Sequence, residues 1–322
     1  MLESRIAVVI PTYKAKRSIM DVLQRMPAEV AQIFVVDDKC PDGTGQFVQD
    51  QVQDPRVQVI FRPENGGVGA ATKTGYAAAL EQGADIVVKL DSDGQMAPEI
   101  LLEIAGPVLD GEADYAKGNR FWYIDDVRSM PAARIFGNAG VSLLSKLASG
   151  YWQVFDPANG YTAISREALT TLPLDKIADR YFFESDMLFR LALDHRPVAD
   201  VPMAAVYGDE VSGLKLLSTF FTFSRGYLRN FAKRVFIEYV LREVNVASMA
   251  LLVALIALPV GLIHGLWGLI AGLMTGVPST TSAVMLTTLL LVIGYVSLMN
   301  FLAYDYEKPS HYRRRNTSRK IR

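Results

Sequence analysis

The sequence predicts an α/β domain built on a mostly parallel sheet, followed by two helices that cross a membrane. Three observations carry that prediction. Short apolar runs alternate with segments of helical spacing over the first ninety or so residues. Each apolar run ends at a polar residue or a small polar cluster. Finally, no Asp, Glu, Lys or Arg occurs between Val244 and Tyr304, although charged residues make up 21% of the chain.

The elements follow in order. Ile6 to Ile10 is a short apolar strand ending at Pro11, and Ser18 to Arg25 has helical spacing. Ile33 to Val36 is the second strand, ending in Asp37-Asp38, and Val57 to Phe61 is the third. Gly69 to Gln82 is alanine-rich and helical, and Ile86 to Leu90 is a fourth strand ending in Asp91-Ser92-Asp93. A βαβα rhythm places helices on both faces of a parallel sheet. Ligands of such sheets collect at the carboxyl ends of the strands. Pro11-Thr12-Tyr13, Asp37-Asp38 and Asp91-Ser92-Asp93-Gly94-Gln95 all sit at those ends.

The last cluster admits two readings. Paired carboxylates form ordinary surface turns, and alone they repel phosphate. With a divalent cation between them and a diphosphate the sign reverses, because the metal neutralises charge that grows on a leaving diphosphate. Hard oxygen donors suit Mg²⁺ or Mn²⁺.

Two apolar stretches, about 246–269 and 282–304, are each long enough to span a hydrocarbon core. Turn-forming residues from Met274 to Thr280 separate them. Buried helices of a soluble domain are the alternative, but such helices normally carry a charged face. Arg229, Lys233, Arg234 and Arg242 precede the first stretch, and Arg313, Arg314, Arg315, Arg319, Lys320 and Arg322 follow the second. The positive-inside rule then puts both ends in the cytoplasm. His264, inside the first stretch, reads as an uncharged residue near a helix end. Arg225, Arg229 and Lys233 recur at helical spacing among Phe220, Phe221, Phe223, Tyr227, Leu228 and Phe231. That pattern suits a helix lying in the lipid interface; the alternative is a helix packed on the preceding domain. The formal net charge of -1 hides these local clusters. The single cysteine, Cys40, excludes an internal disulfide and fits a reducing compartment. The first apolar run is too short for a signal peptide.

Ile10-Pro11-Thr12-Tyr13, Val35-Val36-Asp37-Asp38 with Pro41-Asp42-Gly43-Thr44, Glu64-Asn65-Gly66-Gly67-Val68-Gly69 and Leu90-Asp91-Ser92-Asp93-Gly94-Gln95 resemble the motifs of family 2 glycosyltransferases with the GT-A fold. Gly118-Asn119-Arg120-Phe121, Asp156-Pro157-Ala158-Asn159-Gly160-Tyr161 and the Tyr181 to Arg190 segment extend the likeness to roughly residues 4–215. Within the family the chain looks most like the polyprenyl-phosphate sugar transferases, the group of dolichol-phosphate mannose synthase and undecaprenyl-phosphate glucosyltransferases.

The resemblance implies roles. Pro11, Thr12, Tyr13 and Asp38 would hold the nucleotide, with Asn65 and Gly66 in the turn that lets backbone approach it. Asp91, Asp93 and Gln95 would carry the metal, with Asp91 also contacting the donor. Arg120 would sit against phosphate. Asp186 stands at the acidic position from which inverting members draw a base, with Glu184 nearby. A lipid phosphate acceptor scarcely needs a base, because its second proton leaves near pH 6. It needs cations, for which Arg120 and Lys215 are the candidates, and Asp186 would then orient rather than deprotonate. The expected partners are a nucleotide-sugar donor, a polyprenyl-phosphate acceptor, the membrane, a second copy of the chain, and a flippase or downstream transferase; nucleic acid is not among them. Lys14-Ala15 replaces the Asn and Glu usual after the first motif, which leaves the nucleotide open. The Gln-x-x-Arg-Trp signature of processive polysaccharide synthases is absent. The expected organisation is a catalytic domain over 1–213, interfacial helices over 214–243, two spans within 244–304 and a basic cytoplasmic tail over 305–322.

Overall fold

Seven strands form one mixed sheet in the computed structural model, which describes residues 4–128, 132–204 and 216–319. In chain order the elements are β1 (Ile6–Thr12), α1 (Ile19–Gln24), β2 (Val30–Asp37), α2 (Thr44–Gln51), β3 (Val57–Phe61), α3 (Val68–Glu81) and β4 (Ile86–Lys89). Then follow α4 (Leu101–Leu109), β5 (Tyr115–Asn119), α5 (Ile124–Arg128), α6 (Ala132–Ser149), β6 (Thr162–Ser165), α7 (Arg166–Thr171), α8 (Phe183–Leu193) and β7 (Val198–Pro202). The C-terminal helices are α9 (Leu216–Phe236), α10 (Val246–Thr275) and α11 (Thr281–Arg319).

The strand order is β3-β2-β1-β4-β6-β5-β7. The four strands read from the first ninety residues pair in parallel, and β6 runs antiparallel to both β4 and β5. Side chains alternate across a strand, and both faces of this sheet are covered. Ile6, Val8 and Ile10 of β1 join α1 and α4 in one core, while Ala7 and Val9 join α3, α7 and α8 in the other. That double burial explains why β1 reads as a continuous apolar run. It also aligns the carboxyl ends of β1, β2 and β4 on one edge, where the polar clusters gather.

The chain divides into two compact units, Met1–Ala232 and Lys233–Arg322. In the first unit α9 packs on α8 through Phe223, Tyr227 and Asn230. The Phe182 ring lies 5.5 Å from that of Phe223 and 5.0 Å from that of Tyr227, both edge-on. Arg225, Leu228 and Arg229 of the same helix are exposed. The helix therefore has a buried stripe on the domain and a separate basic one.

In the second unit a π-helical turn, Ile237–Arg242, leads into α10. The Asn245 carboxamide oxygen accepts from the amides of Ala247 and Ser248, satisfying donors that a helix start leaves open. Gly276, at φ 71°, ends the helix in the left-handed conformation. Val246–Thr275 and Thr281–Lys308 are long and apolar enough to cross a membrane, with mean hydropathies of 2.6 and 2.1. They contain both stretches expected from the sequence, and α11 continues helically past the expected start of the tail at 305. Small residues bring α10 and α11 close: a Cβ on Gly294 would lie 2.7 Å from Leu258 Cγ. His264 Nδ1 meets Thr287 Oγ1 at 2.8 Å, so the imidazole of this apolar helix has a partner on α11. Asp305 accepts two bonds from Arg234, at 2.7 and 3.0 Å, and one from the Tyr239 hydroxyl at 2.6 Å. Both charged residues are buried.

Candidate active site

A cleft of about 550 Å³ opens at the carboxyl ends of β1, β2 and β4. Pro11, Thr12, Tyr13, Asp38, Asn65, Asp91, Asp93 and Glu184 line it, so eight of the sequence candidates meet there. Gly66 is next to two lining residues, while Gln95, Arg120 and Asp186 are not among the lining residues. Lys215 lies outside the described residues.

The turn before α3 organises one wall. Gly67 sits at φ 95°, a left-handed region that favours glycine. Asp38 accepts from the amides of Gly66 (3.0 Å) and Gly67 (2.6 Å) and from the Arg62 guanidinium. Asn65 donates to the Asp38 carbonyl at 3.1 Å. Asp38 thus ties the end of β2 to the glycine turn. Its neighbour Asp37 turns inward and accepts from Cys40 N (2.6 Å) and Gly45 N (2.7 Å), which fixes the loop into α2.

The loop after β4 carries Asp91 and Asp93. Asp93 Oδ1 accepts from Gln95 N at 2.9 Å, and Gly94 takes φ 78° in the same turn. Beneath it lies Lys89, at 0% exposure. Its ammonium touches Asp91 Oδ1 at 2.6 Å and Glu184 Oε1 at 3.0 Å. Burial opposes that charge, and the two carboxylates more than offset it, so the ammonium is held above the usual lysine range. Gly160 crosses so closely that a Cβ there would collide with Asp91 and the Lys89 ammonium. Among the described residues no group of three or more His, Cys, Asp or Glu could enclose a metal ion. The protein could offer Asp91 and Asp93, with Gln95 in the same loop. A site so poor in protein ligands fits Mg²⁺ or Mn²⁺ completed by phosphate and water.

The structure places two of the candidates away from the cleft lining. Asp186 is not at the cleft: it is 1% exposed and accepts from Ala178 N at 3.0 Å and Asn230 Nδ2 at 2.9 Å. Helical spacing places Glu184 and Asp186 two residues apart, on different sides of α8, and it is Glu184 that faces the cleft. Arg120 grips the buried Asp156 through Nε (2.7 Å) and Nη2 (3.1 Å) instead of facing the open cleft. Arg120→Lys should therefore act on the fold. It removes one arm of a two-pronged contact from a carboxylate with no exposure, at a cost of about 1–3 kcal/mol. A lower melting temperature with unchanged affinity for UDP and GDP is the expected result; unchanged melting with weakened nucleotide binding would return Arg120 to the phosphate.

Several residues around the cleft were not singled out from the sequence. Lys89, at the end of β4, and Lys117, in the middle of β5, are fully buried lysines. Burial pulls Lys117 down to about 8, against the pull of nearby Glu184 and Asp156, and its ammonium donates to the Asn159 carbonyl. Close by, burial pushes the Asp200 carboxyl up to about 6 despite a 2.6 Å bond from Asn119 Nδ2. Arg62 and Arg180 complete the set of missed cations.

A model of glycosyl transferase family 2 matches residues 7–172, just over half of the chain. The chain belongs to that family. Among curated relatives of this family 2 glycosyltransferase is the UDP-N-acetylglucosamine–dolichyl-phosphate N-acetylglucosaminyltransferase of Methanococcus voltae, 29% identical over 64% of this chain and 88% of the relative. Another is the polyprenol monophosphomannose synthase of Mycolicibacterium smegmatis, 33% identical over 62% of this chain and 76% of the relative. The undecaprenyl-phosphate mannosyltransferase of Micrococcus luteus is 32% identical over 63% and 84%. Glucosyl-3-phosphoglycerate synthase of Mycobacterium tuberculosis, solved with Mn²⁺, UDP and glucosyl-3-phosphoglycerate, superposes with a TM-score of 0.53 at 24% identity, covering 72% of this chain and 80% of that one. The catalytic unit of this glycosyltransferase has the GT-A fold, followed by C-terminal helices.

Proposed function

We propose that the enzyme transfers one sugar from a nucleotide-sugar donor to a polyprenyl phosphate at the cytoplasmic membrane face, with divalent metal and with inversion. The state of the two candidate bases carries this reading. Asp186 is buried with both oxygens occupied, and Glu184 is engaged by the Lys89 ammonium. A sugar hydroxyl would need one of them as a base, within hydrogen-bond reach of its proton. A phosphate monoester arrives as an anion and needs none. The names of the three relatives point the same way. Asp91, Asp93 and Gln95 would hold Mg²⁺ or Mn²⁺, which would offset charge on the departing diphosphate. The chain's own residues do the rest: Asp38 and the Gly66–Gly67 turn shape the nucleotide wall, Tyr13, 48% exposed, offers the base an aromatic face, and Lys89 fixes Asp91.

The direct test incubates purified enzyme with labelled nucleotide-sugars and undecaprenyl or dolichyl phosphate. The expected product is a labelled lipid that releases one monosaccharide in mild acid. Label found only on a saccharide hydroxyl, with polyprenyl phosphate inert, would transfer the reading to a lipid-linked saccharide acceptor.

The basic flanks support a topology with both termini in the cytoplasm. In a Cys40→Ser background, Thr280→Cys should react with an impermeant thiol reagent from outside and Ser318→Cys should not. The opposite pattern would reverse the topology.

A further inference from the structure

Between α7 and α8 the chain forms a strap, residues 177–182, that lies over the start of α3. The strap is moored at several points. Asp186 Oδ2 accepts from Ala178 N at 3.0 Å, and Ala70 N donates to the Asp179 carbonyl at 2.9 Å. Lys73 Nζ donates to the Ile177 carbonyl at 2.9 Å and pairs with the Asp179 carboxylate. Phe183 N closes a turn on the Arg180 carbonyl at 2.9 Å. Gly67 admits the strap: a Cβ there would lie 2.9 Å from Arg180 Cγ and 3.0 Å from the Asp179 carbonyl. The result is a fixed backbone that delivers the Arg180 side chain to the cleft wall.

The charge arrangement of that cleft is lopsided. Its lining includes the carboxylates of Asp38, Asp91, Asp93 and Glu184, and Arg180 is the only cationic side chain among the described lining residues. The cations behind the wall are committed, Arg62 to Asp38 and Lys89 to Asp91 and Glu184. Arg120 is held by Asp156. Arg180 is exposed and makes no side-chain hydrogen bond or ion pair with any described residue. An unpaired guanidinium presents a planar fork matched to phosphate oxygens.

We propose that Arg180 is the residue that grips phosphate in this cleft, and that Asp186 is a positioning residue that moors the strap carrying it. This rests on the reading above that both reactants bring phosphate to the cleft. The phosphate belongs either to the donor diphosphate or to the acceptor monoester, and the two sources separate experimentally.

The experiment uses the full chain purified in detergent, with Arg180→Gln and Arg180→Lys beside the parent. Calorimetric titration with UDP and GDP in Mn²⁺ needs no acceptor, and steady-state kinetics then vary donor and polyprenyl phosphate separately. Arg180→Gln should weaken one arm tenfold or more. A loss in affinity for the nucleoside diphosphate that the parent binds assigns Arg180 to the donor. Unchanged nucleotide affinity with a raised KM for polyprenyl phosphate assigns it to the acceptor. Arg180→Lys should fall between, keeping charge and losing the fork. Both arms within twofold of the parent would overturn the proposal. Asp186→Asn should shift the same arm as Arg180→Gln; a fall in kcat with both KM values unchanged would make Asp186 a base and overturn its mooring role. Should that variant fail to fold, Lys73→Gln loosens the strap from its other side and should shift the same arm; no shift there overturns the mooring. A parent enzyme that binds nucleotide yet makes no lipid product would overturn the polyprenyl-phosphate reading alone.

Discussion

Asp93→Asn should fold like the parent chain and turn over about a thousandfold more slowly. The fold is spared because Asp93 Oδ1 serves the loop as an acceptor for Gln95 N, and an asparagine oxygen fills that position equally well. What disappears is a negative charge from a site offering two carboxylates and few other metal ligands. Metal-assisted stabilisation of a leaving diphosphate contributes several kcal/mol, and each 1.4 kcal/mol is about tenfold in rate. The measurement is kcat over a Mn²⁺ titration, with the melting temperature as control. Chelation should stop the parent enzyme, and full turnover in excess EDTA would remove the metal from the mechanism.

Lys89→Met should damage both stability and turnover, and the two effects should separate. Removing one member of a buried charge cluster strands the others, a loss of about 3–5 kcal/mol. For a unit of this size that lowers the melting temperature by on the order of 10 °C. Asp91 and Glu184 would then face each other without the cation between them. Replacing Glu184 as well, in Lys89→Met with Glu184→Met, should recover part of the melting temperature, because a buried pair exchanged for apolar groups is often neutral. Turnover should stay low in the double variant, since Asp91 no longer has the ammonium that sets its position. Recovery of both together would make Lys89 a purely structural residue, and a single variant that melts and turns over normally would contradict the buried contacts.

Four of the seven strands were legible, and β1, β2 and β4 stood out because they are buried on both faces and end in polar clusters. Ile6 to Ile10 and Ile33 to Val36 carried that signal directly. The cleft was legible in part for the same reason: Asp38, Asp91 and Asp93 follow strand ends, where topology forces convergence. Lys89 was not, because one lysine in Ile86-Val87-Val88-Lys89 reads as a strand-end charge turned to water. Its meaning lies in Glu184 on α8, a partner brought near only by the fold. The placement of Asp186 was not legible for a related reason. The motif fixes which acids occur on the helix, while the orientation of the helix decides which of them meets the cleft. Arg180 carried no motif, and the proposal for it rests on the commitment of Arg62, Lys89 and Arg120 to carboxylates. In α9 the basic spacing was visible, but the buried stripe of Phe223, Tyr227 and Asn230 depended on Phe182 and Asp186.

The buried Arg234–Asp305 contact has a temporal consequence. Its members are 71 residues apart, with α10 and the apolar part of α11 between them. At roughly 5–20 residues per second of synthesis, Arg234 leaves the ribosome about 4–14 seconds before Asp305 exists. Through that interval the guanidinium has yet to meet the carboxylate that accepts from it in the folded chain. The Arg234–Asp305 contact thus forms only after α10 and the apolar part of α11 have been translated, and a nascent chain stalled between the two helices would hold an arginine awaiting this carboxylate.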